Sequence, residues 1–313
     1  AKLLGTIFEA DFQENSYGYR PKRSAKDAVQ DLRYNFSRGN YGYVVEADIK
    51  GFFDNMDHNW ILETLKQRID DKAFLNLILK WLKAGILDTD GKIINPESCT
   101  PQGGIVSPIL ANVYLHFALD LWFEKNVRKN CKGEAMLVRY ADDFVCAFRY
   151  HEDAKKFYKE LPERLQKFSL DVAPEKTQMM RFSRFHPSME RKITFLGFEI
   201  YWFYNRRGNP CVMQRTARKK LQSACQRIKE WIREQRHLKG QSFIIALNKR
   251  LQGHYNYYSL RGNSNALWRF YNWAVECSFK WLNRRGGKRN SFTWWKFIKA
   301  IKRLGIARPV MKP

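Results

Sequence analysis

Two adjacent carboxylates, Asp142 and Asp143, stand between the apolar runs Glu134–Tyr140 and Phe144–Tyr150. Runs of that length and composition read as two strands, so the acids fall at a hairpin tip. Neighbouring carboxylates repel each other unless a cation holds them. Phosphoryl transfer uses such an arrangement, with one Mg²⁺ activating an attacking hydroxyl and a second holding the triphosphate and leaving group. The same pair also suits a solvated turn, so the tip alone does not decide its chemistry.

Two further segments bear on the choice. Asp48 ends the apolar stretch Val44-Val45-Glu46-Ala47 and precedes Ile49-Lys-Gly-Phe-Phe-Asp-Asn55. A carboxylate leaving a strand end can join Asp142 at a metal, or it can cap a following helix. Phe52 and Phe53 suit a core, or a wall against a nucleotide sugar. Thr100-Pro-Gln-Gly-Gly-Ile-Val-Ser-Pro108 carries Gly103 and Gly104, which let a ligand approach the backbone, and Gln102, which both donates and accepts. A loop leading into a helix would look the same.

Charge divides the chain. Of 313 residues, 1–200 carry 30 Lys+Arg against 28 Asp+Glu, while 201–313 carry 26 against three. The excess of +25 therefore belongs almost wholly to the last third, and it implies a polyanionic partner. No run of about 18 apolar residues exists to span a bilayer. The N-terminus lacks a signal-peptide pattern, which points to a non-secreted protein of a bacterial cytoplasm or an organelle, with no membrane partner. The six cysteines (99, 131, 146, 211, 225, 277) show no C-x-x-C pair, so neither a zinc site nor a disulfide framework is expected. The chain begins at Ala1 inside an amphipathic segment, as though within a longer protein.

Periodicity predicts helices over 25–37 (Ser24 as N-cap), 59–68, 72–84, a long buried helix over 107–128, and 152–168. Strands are expected at 43–48, 134–140, 144–150, 177–182 and 194–201, with a hairpin at 86–97. Strands and helices alternate without a regular βαβ rhythm, so the expectation is α+β with a largely antiparallel sheet. Asn205-Arg-Arg-Gly-Asn-Pro reads as a turn at a domain boundary. Beyond Thr216, helices over 217–237, 243–260, 264–284 and 291–304 form a basic bundle.

Asp48-Ile-Lys-Gly-Phe-Phe-Asp54, Pro101-Gln-Gly-Gly-Ile-Val-Ser-Pro108, Tyr140-Ala-Asp-Asp143 and Phe195-Leu-Gly-Phe198 follow one another in an order that resembles reverse transcriptases, in particular the group II intron-encoded reverse transcriptase/maturases. Ser16-Tyr-Gly-Tyr-Arg-Pro-Lys-Arg-Ser24 resembles that family's finger-to-palm block. The resemblance implies a polymerase right-hand palm followed by an all-α basic thumb, called the maturase domain. Residues 1–40 would be a fingers remnant, 41–205 the palm and 206–313 the thumb. Asp48, the Ile49 backbone, Asp142 and Asp143 would hold two Mg²⁺ ions. Phe53, five residues after Asp48, would exclude a 2′-hydroxyl. Gln102, Gly103, Gly104, Tyr140 and Ala141 would line the nucleotide and template pocket, with Lys176 near it. Phe195, Leu196 and Gly197 would grip the primer.

The implied activity is RNA-directed DNA polymerisation, together with binding of a group II intron RNA to promote splicing. The implied partners are that RNA, an RNA template with a DNA primer, and deoxynucleotide triphosphates. Arg218, Lys219, Lys220, Arg227, Lys229 and Arg233 would track a phosphate backbone. Tyr255, Tyr257, Tyr258, Trp294 and Trp295 lie among basic residues, where stacking on bases and burial in the bundle compete, and burial is expected for most. The family's finger blocks before Ser16 are largely missing: either the chain is a fragment or a reduced protein, or a second copy, as a homodimer, or the RNA completes that wall. Nothing resembles a His-Asn-His nuclease, so target-DNA cutting is not expected. The alternative is a non-catalytic RNA-binding maturase that uses the polymerase fold as a clamp.

Overall fold

The computed structural model describes residues 1–83, 86–87, 93–94, 104, 106–284 and 291–311. The elements in chain order are α1 (Lys2–Glu9), α2 (Ala25–Arg38), β1 (Tyr43–Ala47), α3 (His58–Lys66), α4 (Lys72–Lys83), β2 (Ile86–Leu87), β3 (Ile93–Ile94), α5 (Ser107–Leu115), α6 (Arg128–Asn130), β4 (Ala135–Tyr140), β5 (Asp143–Phe148), α7 (His151–Gln166), β6 (Gln178–Arg181), β7 (Lys192–Phe195), β8 (Phe198–Tyr204), β9 (Pro210–Thr216), α8 (Arg218–Glu234), α9 (Gly240–Tyr258), α10 (Ser264–Asn283) and α11 (Trp294–Arg303). The chain divides into two compact units, one of Ala1–Leu196 with Tyr201–Val212 and one of Gly197–Ile200 with Met213–Pro313.

The first unit is built on an antiparallel sheet of order β4-β5-β1-β6. Val44, Val45 and Ala47 are buried, and their register against β5 runs from Tyr43 opposite Phe148 to Ala47 opposite Phe144. That register fixes which residues leave the sheet together at the Asp48 end. Helices α3, α5 and α7 supply Ile61, Leu65, Leu110, Val113, Phe157 and Leu161 to one core with β1, β4 and β5. Each such side chain stabilises by about 1.5–3 kcal/mol on burial. Helix α2 starts as the sequence predicts: Ser24 accepts from the Asp27 amide while the Asp27 carboxylate accepts from the Ser24 amide, a reciprocal capping box.

Two expectations change. The run after Ser107 is not one α-helix, because π-helical turns occupy His116–Asp120 and Phe123–Val127. Tertiary partners hold the wider first turn open: the Arg164 guanidinium donates to the Phe117 and Ala118 carbonyls, both at 2.9 Å, and Asp120 turns inward to Arg139. The strand expected at 194–201 is two strands, β7 and β8, separated by Leu196 (φ 50°) and Gly197 (φ 77°). The turn expected at 205–210 joins β8 to β9, a strand the sequence reading did not anticipate.

The second unit packs α8, α9, α10 and α11 around Ile228, Ile232, Phe243, Leu247, Leu251, Leu267, Phe270 and Phe297. Asn263 accepts from the Thr216 amide and donates to the Tyr258 carbonyl at the end of α9, while the Glu199 carboxylate accepts from the Arg218 amide at 3.0 Å at the start of α8.

Candidate active site

Asp48 follows the last residue of β1, and Ala141-Asp142 forms the turn between β4 and β5, with Asp143 as the first residue of β5. Because Ala47 lies opposite Phe144, the two strand ends deliver Asp48, Asp142 and Asp143 to one edge of the sheet. The turn depends on Ala141, a non-glycine residue at φ 54° that is almost wholly buried. On the other side of β1, the Asp48 carbonyl accepts from the Ala173 amide at 2.8 Å and the Lys50 amide donates to the Asp171 carbonyl at 2.8 Å. Backbone groups alternate in direction along extended chain, so the Ile49 carbonyl faces the other way, toward the side where β5 lies.

Burial raises the Asp142 carboxyl above the usual range and the Asp48 charge adds to it, against lowering by its own backbone, Lys176 and Arg139. Lys176, exposed and following the 171–173 segment, bonds the Asp48 carboxylate, which raises the Lys176 ammonium above its ordinary value. Among the described residues, no group of three or more His, Cys, Asp or Glu side chains is placed to hold a metal ion. The donors present nonetheless fit Mg²⁺, which is bound through one or two carboxylates with the remaining positions left to water and substrate phosphates. Two carboxylates that feel each other's charge, with oxygen as the sole donor atom, make such a set.

The remaining expected residues divide. Phe53 is half-buried on the 3₁₀ turn Phe52–Asp54, its ring 5.3 Å from that of the buried Phe52. Tyr140 is half-buried, with its ring 6.4 Å from that of Tyr19. Gln102 and Gly103 lie outside the described residues, while the Gly104 carbonyl accepts from the Ser107 amide as α5 begins. Phe195 is buried, so its side chain is core rather than surface, while Leu196 and Gly197 are half-buried. A side chain on Gly197 would meet the Tyr258 hydroxyl at 2.9 Å. On α8, Arg218, Lys219, Lys220, Arg227 and Arg233 are exposed and Lys229 is half-buried. Tyr255 is buried as expected, whereas Tyr257, Trp294 and Trp295 are exposed, the last by 77%. Helix α11 separates the two tryptophans: Phe297 and Ile301 fill its buried face, Trp294 shares that face at its start with its ring 5.1 Å from that of Phe279 and 6.2 Å from that of Phe297, and Trp295 points away from it.

Groups outside the expected set stand behind the turn. Arg139 is fully buried and bonds Asp120 through two nitrogens, at 2.7 and 2.6 Å. Gly18 lies against the turn so closely that a Cβ there would stand 2.4 Å from the Ala141 amide nitrogen. The available signal was a charge inside an apolar strand, Leu137-Val-Arg-Tyr140, and an acid inside the apolar run His116-Phe-Ala-Leu-Asp-Leu121. Each demands a partner when buried.

Residues 1–200 match the family described as reverse transcriptase (RNA-dependent DNA polymerase), and the chain belongs to that family. Among individual proteins, it is similar to the group II intron-encoded protein LtrA of Lactococcus lactis subsp. cremoris, 43% identical over 114 residues, which is 36% of this chain and 18% of that protein. Protein YkfC of Escherichia coli K12 is 32% identical over 169 residues, 44% of each chain. Nuclear intron maturase 2, mitochondrial, of Arabidopsis thaliana is 26% identical over 165 residues, 40% of this chain and 22% of that protein. The chain thus spans less than half of these curated relatives. In fold it is similar to apo telomerase from Candida tropicalis, with a TM-score of 0.52 at 16% identity over 97% of this chain and 52% of that one. Mixed helix and antiparallel sheet in that arrangement is the polymerase fold of reverse transcriptases.

Proposed function

We propose that the chain is an RNA-directed DNA polymerase of the group II intron type, which extends a DNA primer with deoxynucleotides on an RNA template. The observation that carries the reading is the register that ends β1 and β5 together, Ala47 opposite Phe144, and so brings Asp48 and Asp142 to one end of the sheet, where the Asp48 charge adds to the burial that raises the Asp142 carboxyl. Asp48, Asp142 and the Ile49 carbonyl would hold two Mg²⁺ ions, with Asp143 beside them. Bound there, they would supply the charge that activates a primer 3′-hydroxyl and neutralises the leaving pyrophosphate. Lys176 neutralises Asp48 and steadies its carboxylate. Phe53 closes the sugar side against a 2′-hydroxyl, and Tyr140, Ala141, Gln102, Gly103 and Gly104 border the base pair. The turn at Phe195, Leu196 and Gly197 supports the primer.

In this reading residues 1–40 are a fingers remnant, 41–205 the palm and 206–313 the thumb/maturase domain, whose α8 cations bind the intron RNA. Primer extension on an RNA template with Mg²⁺ tests it. Asp142→Asn should abolish extension, and extension that survives the change overturns the assignment.

The exposed cations of α8 favour one further reading, in which the chain binds intron RNA without polymerising. Wild-type chain that binds the RNA but extends no primer would select it.

A further inference from the structure

We propose that Arg139 is a positioning residue: its guanidinium holds the Ala141-Asp142 turn in place from behind, an inference that rests on the reading of Asp142 as catalytic. The turn needs such a hold. Ala141 stands in the left-handed region, which a residue with a Cβ enters only when its surroundings over-determine it.

Arg139 supplies that determination from a fully buried position. Besides its two bonds to Asp120, it donates to the Ala141 carbonyl at 3.0 Å, the Asn112 amide oxygen at 3.1 Å and the Ser16 hydroxyl at 2.8 Å. The Arg139 backbone closes the same web, donating to the Asn15 carbonyl at 2.9 Å and accepting from the Tyr17 amide at 2.8 Å. Asn112 in turn donates to the Gly18 carbonyl at 2.6 Å, and Gly18 is the residue pressed against Ala141. Arg20 extends the web outward through the Ser16 carbonyl at 2.8 Å and Glu9 at 2.9 Å. One planar fork thus reaches the π turn of the 107–130 run, the 15–20 segment and the turn itself. Its directions are fixed, which a point charge on a flexible stem cannot reproduce.

A purely structural ion pair and a positioning group answer differently to removal. Replacing a buried ion pair by apolar residues of similar volume is often neutral or stabilising. The double variant Asp120→Leu/Arg139→Met therefore satisfies a structural role but leaves the Ala141 carbonyl without its donor. Two readouts decide, amide hydrogen exchange at residues 141–143 and single-turnover extension at saturating template and nucleotide.

We expect exchange at the turn to quicken by roughly tenfold or more while the core of β5 is unchanged. The maximal extension rate should fall by roughly a hundredfold with template affinity retained, since small misplacements carry that cost. Wild-type exchange at residues 141–143, or a wild-type rate despite quickened exchange, overturns the proposal. Should the double variant not fold, Arg139→Lys takes the same two measurements with the charge on Asp120 still compensated, and the same results decide. Exchange does not depend on polymerisation. A chain that never extends a primer, or extends one despite Asp142→Asn, removes the catalytic reading, while unchanged exchange removes Arg139 alone.

Discussion

The two units handle charge in opposite ways. Among the described residues, the first unit buries Arg20, Glu46, Asp120, Arg139 and Asp153, while the polar side chains buried in the second are Gln214, Thr216, Ser259, Asn263 and Ser278, all neutral. The second unit keeps its cations outside, on faces such as that of α8. Burying an ion is costly, and the gain from a paired partner seldom exceeds that cost. Asp120, Arg139 and Arg20 lie in the web behind the turn that carries Asp142, where buried charge fixes directions. Charge outside the second unit adds little to stability but creates a field that a polyanion feels.

That contrast predicts unequal responses to neutralisation. The largest should follow Asp120→Ala, which leaves the Arg139 guanidinium buried without its carboxylate; we expect a loss of about 3–5 kcal/mol in chemical denaturation. A loss below about 1 kcal/mol, the range of exposed pairs, would erase the distinction between the units.

Glu46 comes next. It lies two residues before Asp48 in β1 and accepts from Gln178 at 2.6 Å and the Thr194 amide at 2.7 Å. Burial raises its carboxyl from 4.5 to about 7, outweighing both bonds. The folded chain then retains a proton that the unfolded chain releases, so stability falls as pH rises from about 4.5 to about 7. Glu46→Gln should flatten that slope in melting curves taken at pH 5 and pH 7.5, and an unchanged slope would show that other groups set it.

The smallest effect on folding should come from replacing Arg218, Lys219 and Lys220 together by Ala. Stability should move by no more than about 0.5 kcal/mol per site, while the slope of log affinity for RNA against log salt drops by roughly two. A large fall in melting temperature with an unchanged salt slope would reverse the roles given to the two units.

Local signals carried much of this architecture. The Ser24 cap, the strands either side of Asp142-Asp143 and the four helices after Thr216 all lie where their periodicity and caps put them. What escaped depends on partners far along the chain. The π turn at 116–120 is held by Arg164 and Arg139, which take its groups; Asp120 inside an apolar run marks the need for a partner, but nothing local says which residues supply it. The turn at Leu196-Gly197 interrupts an otherwise strand-forming run at its one glycine, which takes φ 77° there. At the site, Asp48 and Asp142 were legible because strand ends and paired acids are local patterns. A guanidinium inside Leu137-Val-Arg-Tyr140 cannot be buried alone, yet the strand does not say what pairs with it. Its partners, Asp120, Asn112 and Ser16, come from three distant segments that only the fold assembles.

Template affinity and maximal extension rate, measured side by side for Asp142→Asn and for the triple alanine variant on α8, test the division of labour between the two units most directly. The expected result is a reciprocal one: Asp142→Asn binds the RNA as wild type does but does not extend the primer, while the triple variant binds weakly and extends at the wild-type rate once template is saturating. Extension by Asp142→Asn, or a triple variant that binds normally and fails to extend, would contradict it.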